Sequence, residues 1–138
     1  MSDAKLLNAI KVLEDLDNSL GSVNQWCKGA YALRLTDDQF YAFTEPLNQD
    51  ACCWCLVGAV RKFAHDDIDL EQDAMKLLYA VFKTDPLYKK YLSVVNFNDH
   101  HETKFEDVKE FVKKSIDNAK NYYTFDAVPE LRGGTSDE

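Results

Sequence analysis

The residues with the clearest chemical potential form a short cluster late in the chain. Asp99, His100, His101 and Glu102 are consecutive, and carboxylate and imidazole groups act as general acids and bases or bind metals. Adjacent histidines point in different directions on most backbones, and the H-E-x-x-H spacing that places two histidines on one helix face is absent. The spacing favours an exposed polar turn and leaves open a hydrolase that uses Asp99, His100 and His101.

Four cysteines offer a second candidate chemistry, and they are Cys27, Cys52, Cys53 and Cys55. Cys52 and Cys55 have a spacing that could place two zinc ligands on one helix face. Structural zinc sites, however, usually combine loop-borne pairs of cysteines with a matching second pair. Cys53 and Cys55 stand among Trp, Leu and Val, where a free cysteine packs as a small hydrophobe. We therefore predict packed, reduced thiols, with no metal and no cofactor.

An acidic run follows the longest apolar stretch and consists of Asp66, Asp67, Asp69, Glu71 and Asp73. Counted from Asp67, the sixth position is Gln72 and the twelfth is Leu78, where a calcium loop requires glycine and glutamate. Acidic side chains are stabilised at the N-terminus of a helix by the helix dipole. The run therefore predicts a helix start and, on its exposed side, a docking surface for a basic partner.

Composition and charge limit the classes of partner. The 138 residues are 46% hydrophobic and 29% charged, which is typical of one globular domain. A net charge of −8 disfavours direct binding to nucleic acid or to anionic membranes. The first twenty residues are amphipathic, and the longest apolar run, residues 51–60, is shorter than the ~20 residues that span a bilayer. We expect a cytoplasmic protein with no membrane segment.

Apolar periodicity predicts the elements that position these residues. A first helix should run from Asp3 to Leu20 with Ser2 as its cap, and a second should begin at Ser22 and carry Trp26 through Leu33. Residues 49–64 read as a central helix, because residues 51–60 are apolar on every face.

Three further helices are expected after this central one. They should begin near Asp69, at Asp85-Pro86 and at Thr103, with Asn96 to Glu102 as a polar turn before the last. We therefore predict an all-α fold: a compact single-domain bundle of about five to six helices around the buried central helix. Residues 1–125 form the helical domain of this prediction, and residues 126–138 a flexible acidic tail.

Several motifs together resemble a known family. They are Trp26-Cys27-x-Gly29-Ala30, then Cys55-Leu56-x-Gly58-Ala59, and finally Phe97-Asn98-Asp99 followed by Glu106-Asp107-Val108. Between about Leu6 and Ala119 the chain is similar to a family of small bacterial and phage proteins of unknown function. The resemblance implies a helical domain carried by a phage or mobile element and assigns no catalytic residues. The turn at 100–102 departs from the basic or Gly-Pro sequence common in that family.

A structural hypothesis concerns the last of these motifs. Asn and Asp side chains commonly bond nearby backbone amides in turns. We expect Asn98 and Asp99 to hold the last helix against the core, with Asp99 paired to Arg61.

The favoured function is a non-enzymatic binding protein that inhibits or regulates a host protein, preferably a basic one, through an acidic helical surface. Its expected binding residues are Asp66, Asp67, Asp69, Glu71, Asp73, Asp99, His100 and His101. The alternative is a nucleotide- or metabolite-binding protein whose pocket is walled by aromatic residues 40–43 and 88–91. A homo-oligomer through the Gly-Ala faces stays open.

Overall fold

The computed structural model describes residues 1–123, so the tail expected at 126–138 lies outside the described residues. Within these residues, five α-helices and three β-strands follow one another. They are α1 (Asp3–Ser19), β1 (Ala32–Leu35), β2 (Tyr41–Phe43), β3 (Ala51–Trp54), α2 (Leu56–Phe63), α3 (Ile68–Thr84), α4 (Val94–Asp99) and α5 (Phe105–Asn118). Short 3₁₀ turns occupy Val23–Gln25 and Pro86–Tyr88, and a π-helical turn, Ala119–Tyr123, follows α5.

The all-α prediction is wrong, because the strands form a three-stranded antiparallel sheet in the order β2-β1-β3. β1 lies where the second helix was expected, and that helix is reduced to the 3₁₀ turn after Ser22. The strands have four residues or fewer, so none is long enough to display a clear alternation of apolar and polar side chains. The fold is therefore mixed, with a helical layer and a small sheet.

The predicted central helix, 49–64, is also corrected, since its apolar run holds two elements. β3 occupies the first part and α2 begins only at Leu56. Cys55 separates them as the N-cap of α2, and its Sγ accepts a hydrogen bond from Gly58 N at 3.3 Å. The first five residues of α2, from Leu56 to Val60, are all buried. The apolar run thus marks the core correctly but not its secondary structure.

The helices agree better than the strands with the elements predicted from apolar periodicity. α1 begins after Ser2, whose side chain accepts from Lys5 N as expected. α3 is capped by Asp67 rather than Asp69, and α5 begins at Phe105, two residues after the expected Thr103. The predicted fifth helix is only the 3₁₀ turn Pro86–Tyr88, whereas α4 replaces most of the polar turn expected at 96–102.

Aromatic side chains fill the space between the helices. Tyr88, Phe97 and Phe111 contact one another at centroid separations of 4.9–5.3 Å, in tilted and edge-to-face arrangements that aromatic pairs prefer. All three are buried. This cluster fixes α4 against α5 and so determines where the end of α4 lies. Within residues 1–123, no helix is long and apolar enough to cross a membrane.

Candidate binding cleft

The buried side chain of Asn98 joins three separate segments at the end of α4. Its Oδ1 accepts hydrogen bonds from Trp26 Nε1 at 2.7 Å and from Leu56 N at 3.0 Å. Its Nδ2 donates to Cys27 O at 3.1 Å. Asn98 therefore ties the loop before β1 and the first turn of α2 to α4, and it satisfies one of the unpaired N–H groups at a helix start.

Asp99 continues this network at the surface. Its Oδ1 accepts from Gly29 N and from Asn98 Nδ2, both at 2.9 Å. Gly29 has a φ of 77°, in the left-handed region that glycine adopts most readily. Lys28 Nζ adds a bond to His100 O at 2.6 Å. The loop that carries the first motif is thereby fixed to the end of α4.

The expected role of Asn98 and Asp99 needs correction. They hold the loop before β1 and the start of α2, not the last helix, because α4 places them next to those segments. The predicted pair of Asp99 with Arg61 is also wrong. Arg61 Nε lies 3.3 Å from Glu71 Oε2, and its guanidinium lies 4.3 Å from the ring centroid of Tyr31.

A cleft of about 690 Å³ opens beside this network, at the end of the sheet where β1 begins and β2 ends. Its lining includes Tyr31, Phe43, Glu45, Cys55, Val95 and Asp99. Glu45 and Asp99 are its charged residues, and among the described residues no lysine or arginine lines it. The cleft therefore combines apolar walls with negative charge, an arrangement suited to a cationic group next to an aromatic ring.

The cysteines at and around the cleft are poor nucleophiles. Burial raises the pKa of the Cys55 thiol, and burial together with the neighbouring Cys53 raises that of Cys27. The pKa of Cys53 is raised for the same main reason. A thiol is nucleophilic as the thiolate, so these three groups are suited to packing and capping. Cys52 differs, since it is exposed, and all four cysteines are free.

The strand beside the cleft carries an unusual surface. Phe40, Tyr41 and Phe43, here called the aromatic edge, are 72%, 64% and 77% exposed. Leu33 pairs with Phe43 and Leu35 with Tyr41, so the two aromatic residues of β2 share one face of the sheet. No strand pairs with the outer side of β2 within the described part of the chain.

The expected aromatic walls are divided between different sites. Phe43, from the segment 40–43, does line the cleft, whereas Tyr88 is buried in the core. Tyr88 and Tyr91 line a separate cavity of about 190 Å³. Trp26 and Glu45 were missed as site residues; the Trp-Cys-x-Gly-Ala motif was a signal for Trp26, while nothing in the sequence indicates Glu45.

The acidic run lies at the start of α3 and does not line the cleft. Asp67 caps α3 by accepting from Leu70 N at 3.0 Å. Glu71 pairs with Arg61 at 3.3 Å, and Asp73 lies 3.8 Å from Lys76. Asp66 and Asp69 are exposed. Two of the five acids thus serve α3 itself and a third joins it to α2, which leaves fewer of them to contact a partner.

The two histidines lie on the far side of Asp99 in the sequence, and neither lines the cleft. Contrary to the expectation for adjacent histidines, their rings stack, with centroids 4.5 Å apart and planes inclined by 23°. His100 caps the end of α4 with φ −61° and ψ 138°, so the chain leaves the helical conformation there.

Comparison with known proteins places the chain in a family but gives no activity. No curated protein and no solved structure matches it. The model of a family of unknown function, DUF6197, matches residues 5–118, a range that contains the network around Asn98, the cleft and the aromatic edge. The resemblance noted in the sequence is confirmed to this extent, and the chain belongs to this family of unknown function.

Proposed function

We propose that the protein is a non-enzymatic binding domain that takes an extended, basic segment of a partner protein along β2 and into the adjacent cleft. The observation that carries the proposal is the continuity between the two features. β2 ends at Phe43, and the residues that follow it, including Glu45, line the cleft. A peptide that follows β2 therefore reaches a negatively charged, aromatic-walled site.

The free outer side of β2 supplies the means of attachment. An edge strand presents unpaired N–H and C=O groups, and an extended peptide can pair with them as an additional strand. Tyr41 and Phe43 are exposed beside this edge and offer large apolar contacts. Interface centres are enriched in such aromatic residues, because they bury much area at little cost in conformational entropy.

Charge complementarity favours a basic segment. Asp37 and Asp38 lie exposed between β1 and β2, and Glu45 is exposed just after β2. In the cleft, Glu45 and Asp99 lie with Phe43, so a lysine or arginine side chain would meet both carboxylates and an aromatic ring. The hydrogen bonds described above engage Oδ1 of Asp99, and a carboxylate has two oxygens that accept.

The partner is a basic protein, as expected from the sequence, but the contact surface is β2 with the cleft and not the acidic run. The acidic helical surface at Asp66 to Asp73 is a weaker candidate, since Asp67, Glu71 and Asp73 already cap α3 or pair with cations. Inhibition or regulation of the partner would follow from occupying its basic segment, with no chemistry required from the chain.

A small-molecule role is the second candidate, and the volume of the cleft favours it. About 690 Å³ falls in the range of ligand pockets, roughly 300–1,000 Å³. The two carboxylates disfavour nucleotides, whose phosphates they repel, and favour an amine or guanidinium compound. The two candidates share their chemistry and differ in whether β2 takes part.

Fluorescence anisotropy with two labelled peptides tests the proposal. One alternates lysine with valine, and the other alternates glutamate with valine at the same length. We expect the basic peptide to bind at least about tenfold more tightly than the acidic one, with a loss of affinity at high salt. Substituting Phe43→Ser or Glu45→Gln should weaken binding by about tenfold.

A matched pair of variants separates the cleft from the acidic run. Asp69→Asn removes the same charge as Glu45→Gln but at the exposed start of α3, and Ile68→Ser removes a 68% exposed apolar side chain there. Both controls should bind as the wild type does. Equal weakening by Asp69→Asn and Glu45→Gln would overturn the placement in the cleft. Failure of the peptide together with a retained small mass in native mass spectrometry would assign the cleft to a small molecule.

A further inference from the structure

A second group of chemically active side chains lies outside the cleft, in the turn after α4. His100, His101 and Glu102 each place one ligand atom so that all three atoms lie within 4.8 Å of one another. The His100 side chain is 25% exposed and that of Glu102 is 65% exposed. The group therefore opens to solvent on one side while His100 anchors it to the protein.

The backbone of this turn is held in place by neighbouring elements. His100 O accepts from Lys28 Nζ at 2.6 Å and from Thr103 N at 3.0 Å. The His100 ring contacts Tyr91 edge to face at 5.2 Å. These contacts fix the His100 ring before any ion binds, which lowers the entropic cost of its coordination.

We propose that His100, His101 and Glu102 form a binding site for a divalent transition metal ion of the zinc, nickel or copper class. Two imidazoles and one carboxylate suit these ions, whereas magnesium and calcium prefer oxygen ligands alone. Water would complete the coordination on the exposed side. The site is independent of the proposed function, since none of the three residues lines the cleft.

Binding requires only modest rearrangement. Ligand atoms around a tetrahedral zinc ion lie roughly 3.4 Å apart, as follows from bonds of about 2.0–2.1 Å. Rotation of the exposed His101 and Glu102 side chains can close the gap from 4.8 Å. In this structure, His100 Nδ1 accepts a hydrogen bond from Glu102 N at 3.1 Å. Coordination through that atom would exchange this hydrogen bond for the metal bond.

Isothermal titration of the untagged protein with Ni²⁺ tests the site. We expect one binding event that weakens by at least about tenfold in His101→Ala, and by less in Glu102→Gln. Electron paramagnetic resonance with Cu²⁺ should show coupling to two nitrogen nuclei in the wild type and to fewer in His101→Ala.

The chain offers two controls for this titration. His65 is its third histidine and is exposed, and Cys52 is its exposed thiol. His65→Ala and Cys52→Ser should bind Ni²⁺ with wild-type affinity. Indistinguishable titrations of wild type and His101→Ala, or the absence of any binding event in the wild type, would overturn the site.

Discussion

The two edge strands of the small sheet, β3 and β2, differ in whether another segment of the chain covers them. On the outer side of β3, Trp54 forms an isolated bridge to Trp26, and Cys27 N donates to Trp54 O at 3.1 Å. Asn98 forms hydrogen bonds with Trp26 and Cys27 and so holds the segment that covers β3 in place. On the outer side of β2, nothing in residues 1–123 pairs with the strand, and its aromatic side chains are exposed.

The two edges therefore differ in how their side chains are used. At the outer side of β3 they stabilise the fold, whereas at the outer side of β2 they are exposed and free to contact another molecule. The covered edge has hydrogen bonds whose partners are far apart in the sequence, such as those of Asn98 with Trp26 and Leu56. The open edge keeps large apolar side chains at positions with little internal contact. The cleft lies between the two edges, with Asp99 from one side and Glu45 from the other.

The largest effect on stability is expected at Gly58, in the helix that follows β3. A Cβ there would lie 1.8 Å from the backbone oxygen of Tyr31, so α2 and the start of β1 would have to move apart. Alanine has a better helix propensity by about 1 kcal/mol, but the steric cost exceeds this gain. We expect Gly58→Ala to lower the free energy of unfolding by about 3 kcal/mol, measured by urea denaturation.

Gly21 provides the matched control for this substitution. A Cβ at Gly21 would have its nearest neighbour, Gln25 Oε1, at 3.5 Å, an ordinary van der Waals contact. Gly21→Ala should therefore change the free energy of unfolding by no more than about 0.5 kcal/mol. Similar losses in the two variants would show that close approach of α2 to β1 is not what Gly58 provides.

A somewhat smaller effect is expected at Asn98. Replacing it with alanine leaves Leu56 N, Cys27 O and the indole N–H of Trp26 without their partner. Buried polar groups without partners cost about 1–3 kcal/mol each, reduced where water can reach them. We expect Asn98→Ala to lower the free energy of unfolding by about 2 kcal/mol, measured by urea denaturation.

Asn96 allows the same substitution to be made nearby without breaking the network. Its Oδ1 accepts from Leu92 N at 3.2 Å in an exposed position. Asn96→Ala should cost less than about 1 kcal/mol, because water replaces the lost acceptor. If Asn96→Ala were as costly as Asn98→Ala, the covered edge would owe its stability to α4 in general and not to this side chain.

The helical layer could be predicted from the sequence, because long amphipathic helices repeat their apolar stripe several times. α1 and α3 show this, with buried residues at helical spacing and short polar caps. The sheet could not, since strands of three or four residues carry too few side chains to define a period. In residues 51–60, burial on all sides removes the polar positions that would distinguish strand from helix.

The candidate site was only partly predictable for a related reason. Asn98 and Asp99 were recognised as structurally important, but their partners are about 40 to 70 residues away and depend on the tertiary fold. The acidic run was the clearest charge pattern, yet three of its five acids cap α3 or pair with Arg61 and Lys76. Glu45 is a single acidic residue after a short strand, and only the fold brings it to the same cleft as Asp99.

The smallest effect on stability is expected at the open edge. Tyr41 and Phe43 are 64% and 77% exposed, so replacing both with threonine, which also favours strands, removes little buried area. We expect the Tyr41→Thr/Phe43→Thr variant to unfold within about 0.5 kcal/mol of the wild type in urea. A loss above ~2 kcal/mol would mean that the aromatic edge contributes to the core, and the contrast between the edges would fail. An unchanged stability together with lost binding of the basic peptide would show that these side chains serve contact with a partner.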